Sequence, residues 1–141
     1  MKAVELYKRA CDGNDRDGCA NLGYHYSNGL GVPKDNARAV ELHKKACDLG
    51  SLQACTNLAL AYMRGQGVPK DDVKAVELYK QACDNNYMIG CNGLGLAYES
   101  GSGLPKDDAK AAELYKRACD GKNLDACMNV ARTSGADTDQ R

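Results

Sequence analysis

The chain has no tryptophan and no phenylalanine, and only 3 prolines in 141 residues. Without the largest aromatic anchors each residue buries less apolar area, so a thick core cannot be the sole source of stability and covalent help is expected. Neither charge is in excess: Lys and Arg together number 19, Asp and Glu together number 19, and the signs alternate along the chain. A nucleic-acid surface needs a basic excess somewhere, so nucleic acid is not an expected partner. Apolar runs are only a few residues long, so no membrane insertion is expected, and no charged and apolar leader precedes the first pattern. Lys2-Ala3-Val4 matches Arg38-Ala39-Val40, the middle of a later motif, so the first unit reads as truncated.

What the chain does have is a strict period. Laid on itself at 36 residues, it superposes Cys11, Cys47, Cys83 and Cys119, then Cys19, Cys55, Cys91 and Cys127, then Pro33, Pro69 and Pro105. Each unit holds two helical patterns: AVELYKRACD at 3–12 with copies at 39–48, 75–84 and 111–120, and a second at about 52–64 with copies near 16–28, 88–100 and 124–132. The long loop between units reads Gly29, Gly31, Val32, Pro33, Lys34, Asp35. Gly29 suits the left-handed position after a helix, Pro33 forbids continuation, and Asp35, like Asp71 and Asp107, suits the cap of the next helix. The short loop Leu49-Gly50-Ser51 permits only an antiparallel neighbour. Helical pairs of this length cannot bury their apolar faces alone, so they stack. The sequence predicts an all-α, right-handed αα-hairpin solenoid of four 36-residue repeats over residues 1–133, with a polar C-terminal tail at 134–141.

The unit Cys55-x-x-Leu58-Ala59-x-x-Tyr62-x-x-Gly65-x-Gly67-Val68-Pro69-Lys70-Asp71, followed by Lys74-Ala75-x-x-Leu78-Tyr79-x-x-Ala82-Cys83, resembles the Sel1-like repeat. With a cysteine pair added to each unit, it is similar in particular to the Helicobacter cysteine-rich proteins. The likeness covers residues 2 to about 132 in four copies that keep length, glycines and cysteines together.

Eight cysteines allow 105 pairings, but the period leaves two sensible schemes. A spacing of 28, as in Cys19 with Cys47, orphans Cys11 and Cys127, whereas a spacing of 8 leaves none over. The sequence therefore predicts Cys11–Cys19, Cys47–Cys55, Cys83–Cys91 and Cys119–Cys127, each stabilising by roughly 2.5 kcal/mol on chain-entropy grounds. No CxxC is present, and stacked repeats hold successive pairs about 10 Å apart, too far to share a tetrahedral zinc, so no metal and no cofactor is expected. Disulfides imply an oxidising compartment, periplasmic or secreted.

The four copies separate two kinds of helix surface. Turned at 100° per residue, the first helix places Ala39, Val40, His43, Ala46 and Cys47 inward and Arg38, Glu41, Lys44 and Lys45 outward. That outward face scarcely varies, and pairs such as Glu5/Arg9, Glu41/Lys45 and Glu113/Arg117 read as helix support. His43 takes the inward slot that Tyr7, Tyr79 and Tyr115 occupy. On the second helix Cys55, Leu58, Ala59 and Tyr62 are expected inward, and Gln53, Thr56, Asn57, Leu60, Met63 and Arg64 outward. Here the copies differ: Tyr24, Leu60, Leu96 and Arg132 at the centre, and Asn28, Arg64 and Ser100 one turn later. A variable, partly apolar face suits recognition, where a merely solvated one would be charged like its neighbour; drift on an unconstrained surface is the bland alternative. Asn21, Asn57 and Asn129 recur at its edge, with Gly93 breaking the series. An amide can both donate to and accept from an extended peptide, or it can bond the preceding repeat, and either role buries one amide edge. Likeness to tetratricopeptide-like solenoids implies that this helix lines a concave groove.

The sequence thus predicts a monomeric, non-enzymatic scaffold that binds a protein or peptide along one continuous channel, through Asn21, Tyr24, Asn57, Leu60, Arg64, Leu96, Asn129 and Arg132. Arg64 and Arg132 favour an acidic group or a C-terminal carboxylate in the partner, because Arg binds carboxylate through two parallel hydrogen bonds. Resemblance to the Helicobacter family implies a rival, penicillin binding with weak β-lactamase activity. The chain lacks the S-x-x-K, S-D-N and K-T-G elements of serine acylases, and H-E-x-x-H as well. Asp12, Asp48, Asp84 and Asp120 at helix C-termini oppose the dipole and have no explanation at this level.

Overall fold

The computed structural model describes residues 2–139, with side chains described through 134. Among them stand eight helices and no strand: α1 (Lys2–Asp12), α2 (Arg16–Asn28), α3 (Asn36–Asp48), α4 (Leu52–Arg64), α5 (Asp72–Asp84), α6 (Met88–Ser100), α7 (Asp108–Asp120) and α8 (Leu124–Asp139). The all-α class, the hairpin order and the 36-residue period are those expected from the sequence. Of the tail expected at 134–141, residues 140 and 141 and the side chains from 135 onward lie outside the described residues.

Local chemistry sets the helix boundaries. Asp35 accepts a hydrogen bond from the Arg38 amide at 3.0 Å, and Asp107 accepts one from the Lys110 amide at 3.0 Å, so the acid after Lys satisfies a donor that would otherwise face no partner. At the other end Gly29, Gly65 and Gly101 take φ of 64°, 65° and 72°, the left-handed conformation that closes a helix. The second loop glycine has a different reason. A Cβ on Gly67 would overlap the Asn36 carbonyl, and one on Gly103 would overlap that of Asp72, because each long loop presses on the start of the helix one repeat earlier. In the short turns Asp15, Ser51 and Asn123 cap the second helices, accepting from Asp17, Ala54 and Ala126 amides at 2.9, 3.1 and 2.8 Å.

Each hairpin crosses on small residues and a disulfide. Cys11–Cys19, Cys47–Cys55, Cys83–Cys91 and Cys119–Cys127 are bonded, with Cα atoms 4.5, 4.7, 4.5 and 4.6 Å apart. These are the four bridges of spacing 8, and they consume every cysteine. Beside them Gly18 meets Ala10 and Gly90 meets Ala82 so closely that a side chain at either glycine would collide. Ala46, Ala54, Ala118 and Ala126 fill the equivalent positions and are fully buried. Helices brought this close need no large aromatic between them, which accounts for a stable fold without Trp or Phe.

The chain forms two compact units, Met1–Asp71 and Asp72–Arg141. In the first, Leu22, Ala39, Leu42, Ala46, Leu58 and Ala59 make the interior. In the second, Cys83, Cys91, Ala118 and Ala126 form a buried cluster with Met88, Leu114 and Cys119 packed against it.

Three expected side-chain placements are corrected. Lys45 does not serve as an outward helix-supporting partner of Glu41: its Nζ donates to the Cys11 carbonyl at 2.9 Å. Arg117 likewise donates to the Cys83 carbonyl and to Asn86 Oδ1, each at 3.0 Å. Both cations reach 34 residues back to cap the C-terminus of the helix one repeat earlier, where carbonyls lack partners and the dipole favours positive charge. Thr56, expected outward, is buried, its hydroxyl donating to the Gln53 carbonyl at 2.8 Å, which lets a polar side chain be buried at little cost. Two of the unexplained aspartates have partners on their own helices: Lys80 to Asp84 at 3.6 Å and Lys116 to Asp120 at 3.4 Å.

Candidate functional site

The inward slot of each first helix is filled by a ring. His43, Tyr79 and Tyr115 are buried there, and each presses on a glycine of a neighbouring helix: Gly23, Gly93 and Gly95 respectively. Gly93 stands where the other copies carry Asn, so the break in the asparagine series makes room for the Tyr79 ring.

In the first unit, α2, α3 and α4 enclose a cavity of about 320 Å³. Four residues singled out from sequence converge on it, Tyr24 from α2 and Asn57, Leu60 and Arg64 from α4. Tyr24 is 49% exposed and Leu60 37%, so apolar surface is presented to solvent at its mouth. His43, Asn28, Lys34 and Asn36 also line it, and the lining contains two cations and no acid. Asn21 is exposed and does not line the cavity, counter to the buried amide edge expected of it.

His43 fills the inward slot expected of it. It is 5% exposed, and its Nδ1 is buried with no hydrogen-bond partner. Burial lowers its pKa from 6.5 to about 4, so the ring is neutral at pH 7. A neutral imidazole offers one donor and one acceptor, and a buried polar atom left unbonded costs stability that a ligand can return. Ser27 lines the same cavity, but its hydroxyl donates to the Tyr24 carbonyl at 3.0 Å. It is therefore not held by His43 as a nucleophile would be by its base.

The second unit has a depression at the equivalent place, between α6, α7 and α8, lined by Glu99, Lys106, Asp108, Ala111, Arg132 and Thr133. Here the groove is spanned by its own side chains. Arg132 donates from Nη1 and Nη2 to the two Glu99 oxygens, both at 2.7 Å, and the Tyr115 hydroxyl donates to Glu99 Oε1 at 2.5 Å. These hydrogen bonds, Arg132 first, hold the Glu99 carboxyl down to about 2, while burial and then Glu99 push the Tyr115 hydroxyl up. Asn129 is half-buried, donating to Asn92 Oδ1 of the preceding repeat at 2.9 Å and accepting from Arg132 Nη2 at 3.3 Å. Leu96 is 44% exposed on α6. Arg132 and Asn129 are thus engaged by neighbours, whereas Arg64 carries no ion pair among the described residues. Glu99 gives no signal in the sequence because its role depends on Arg132 and Tyr115, which lie 33 and 16 residues away.

The family model for the Sel1 repeat matches residues 1–15, 16–51, 52–87 and 89–123. In that phase the first three bridges each join one matched segment to the next. No curated protein sequence matches the chain. Three solved structures are similar. A protective antigen of uropathogenic Escherichia coli displaying an SLR fold is 33% identical, with TM-score 0.86, over 91% of this chain and 27% of the antigen. A Sel1 repeat protein from Oxalobacter formigenes is 26% identical, with TM-score 0.86, over 91% of this chain and 51% of its own length. Helicobacter pylori cysteine-rich protein B is 34% identical, with TM-score 0.68, over 89% of this chain and 90% of its own. The chain therefore spans about a quarter of the first and half of the second.

Proposed function

We propose that this chain, which belongs to the Sel1 repeat family, binds a partner polypeptide through its second helices, with the cavity of the first unit as the site. Proteins of this family are typically scaffolds for protein–protein interaction and are generally non-enzymatic. The observation that carries the reading is convergence: Tyr24, Leu60 and Arg64, at positions that vary between copies, and Asn57, from the recurring asparagine series, line one cavity. Tyr24 and Leu60 supply apolar contact, and Asn57 an amide for peptide backbone. Arg64 favours an acidic group. No helix among the described residues is long and apolar enough to cross a membrane, and four disulfides call for an oxidising compartment. The proposed setting is the periplasm or the cell exterior, with the protein acting as a monomer.

The test is selection of displayed peptides on the folded, oxidised protein, followed by affinity measurement on variants. Asn57→Ala and Tyr24→Ala should each weaken a selected peptide by about 1–2 kcal/mol with little change in Tm, and Lys44→Ala should leave it unchanged. Binding lost in Lys44→Ala but kept in Asn57→Ala would overturn the site. Hydrolysis of nitrocefin by protein free of contaminating enzyme would favour the β-lactam reading instead.

A further inference from the structure

The two units carry the same groove with different contents. At positions 72 apart, Ser27, Lys34, His43 and Leu60 of the first correspond to Glu99, Lys106, Tyr115 and Arg132 of the second. In the second unit a carboxylate sits in the groove already: Glu99, held by Tyr115 at 2.5 Å and by Arg132 at 2.7 Å through two nitrogens, with Lys106 lining the same depression. In the first unit the carboxylate is replaced by the short Ser27, while the polar surroundings persist. His43 stands in the tyrosine's place, and its buried Nδ1 is without a partner. Lys34 stands for Lys106, Arg64 joins it in the lining, and neither cation is ion-paired among the described residues.

We infer that the first unit's groove takes the side-chain carboxylate of a glutamate in the partner polypeptide, in the place that Glu99 fills from within the second unit. The inference rests on the groove reading above and specifies its ligand chemistry. Three features favour it. The cavity of about 320 Å³ has room for a side chain, its only charged lining residues are Lys34 and Arg64, and the buried imidazole beside them can donate from a ring nitrogen to an oxygen. Glu99 is itself a side-chain carboxylate, so a side chain, more than a chain terminus, is the fitting occupant. The second unit is closed to the same ligand because its Arg132 is held by Glu99.

The test uses the full oxidised chain, labelled with nitrogen-15 and titrated with three short alanine-based peptides. One is capped at both ends with a central glutamate, the second has glutamine in its place, and the third is all alanine with a free C-terminal carboxylate. The glutamate peptide should shift the resonances of Tyr24, His43, Leu60 and Arg64 saturably and bind about tenfold more tightly than the glutamine peptide. Ser27→Glu combined with Leu60→Arg, which copies the second unit's pair, should abolish that binding. Should this double variant fail to fold, Arg64→Gln alone should weaken the glutamate peptide about tenfold. Equal binding of glutamate and glutamine peptides at these residues would overturn the inference while leaving a peptide groove intact. Binding of the C-terminal carboxylate alone would overturn the side-chain assignment. Absence of shifts at these residues with all three peptides would overturn the inference as well, and the groove reading would then stand or fall on the selected peptides.

Discussion

Gly93 lies under the ring of Tyr79, so close that a Cβ placed on it would sit 2.5 Å from the ring's Cε1. Asn occupies the same position in the other three copies. Restoring the series with Gly93→Asn should therefore destabilise the fold by about 1–3 kcal/mol through overpacking, although it makes the chain more regular. Chemical denaturation of the oxidised protein measures it, and an unchanged midpoint would show that the ring can move aside.

Lys122 carries the opposite anomaly. It takes φ of 75° in the last short turn, where the earlier copies place Asn14 at 65°, Gly50 at 102° and Asn86 at 65°. Asn tolerates the left-handed region better than Lys, so Lys122→Asn should raise stability by about 0.5–1 kcal/mol. A lowered Tm would contradict this.

His43 makes stability depend on pH. Its pKa is about 4 in the folded protein and 6.5 when unfolded, so between those values the unfolded chain binds the proton that the folded one refuses. This contribution is fully present above pH 6.5 and is lost as pH falls toward 4, amounting to about 3 kcal/mol. Glu99 acts in a lower window, contributing above its ordinary 4.5 and failing as pH falls toward 2. Thermal melts from pH 8 to 4 should show the loss, and His43→Tyr, which copies the residue of the other units, should flatten it. A profile unchanged by that substitution would assign the dependence elsewhere.

The four bridges should differ in how fast they reduce. Cys119 and Cys127 are half-buried, whereas the other six cysteines are at most 7% exposed. Thiolate attack needs access, so Cys119–Cys127 should open first, as seen by timed alkylation and mass spectrometry. Full reduction should unfold most of the helix at 37 °C, since each bridge contributes about 2–3 kcal/mol. Helical circular dichroism that persists in excess reductant would show that the small-residue seams suffice alone.

The period made the fold legible. Cysteines, glycines and prolines recurring every 36 residues locate the eight helices, and the orphan-free pairing finds the bridges. What could not be read from one sequence lies where residues far apart in the chain meet. Lys45 looks like a partner for Glu41 on a helical wheel, and only the stacked neighbour reveals the Cys11 carbonyl it caps. Thr56 is a local exception: it looks exposed until its hydroxyl is seen to donate to the Gln53 carbonyl on its own helix. Within the site, Tyr24, Leu60 and Arg64 were legible because the copies vary there, and Asn57 because it recurs as Asn21 and Asn129. Glu99 was missed because its importance depends on Arg132 and Tyr115, which lie 33 and 16 residues away.

The central claim is that the second helices of the first unit form the binding surface. Chemical-shift mapping of the labelled protein with a display-selected peptide tests it most directly. The account expects the largest perturbations at Tyr24, Asn57, Leu60 and Arg64, with Glu41 and Lys44 unmoved. Perturbations centred on Glu41 and Lys44, with the cavity residues silent, would contradict it.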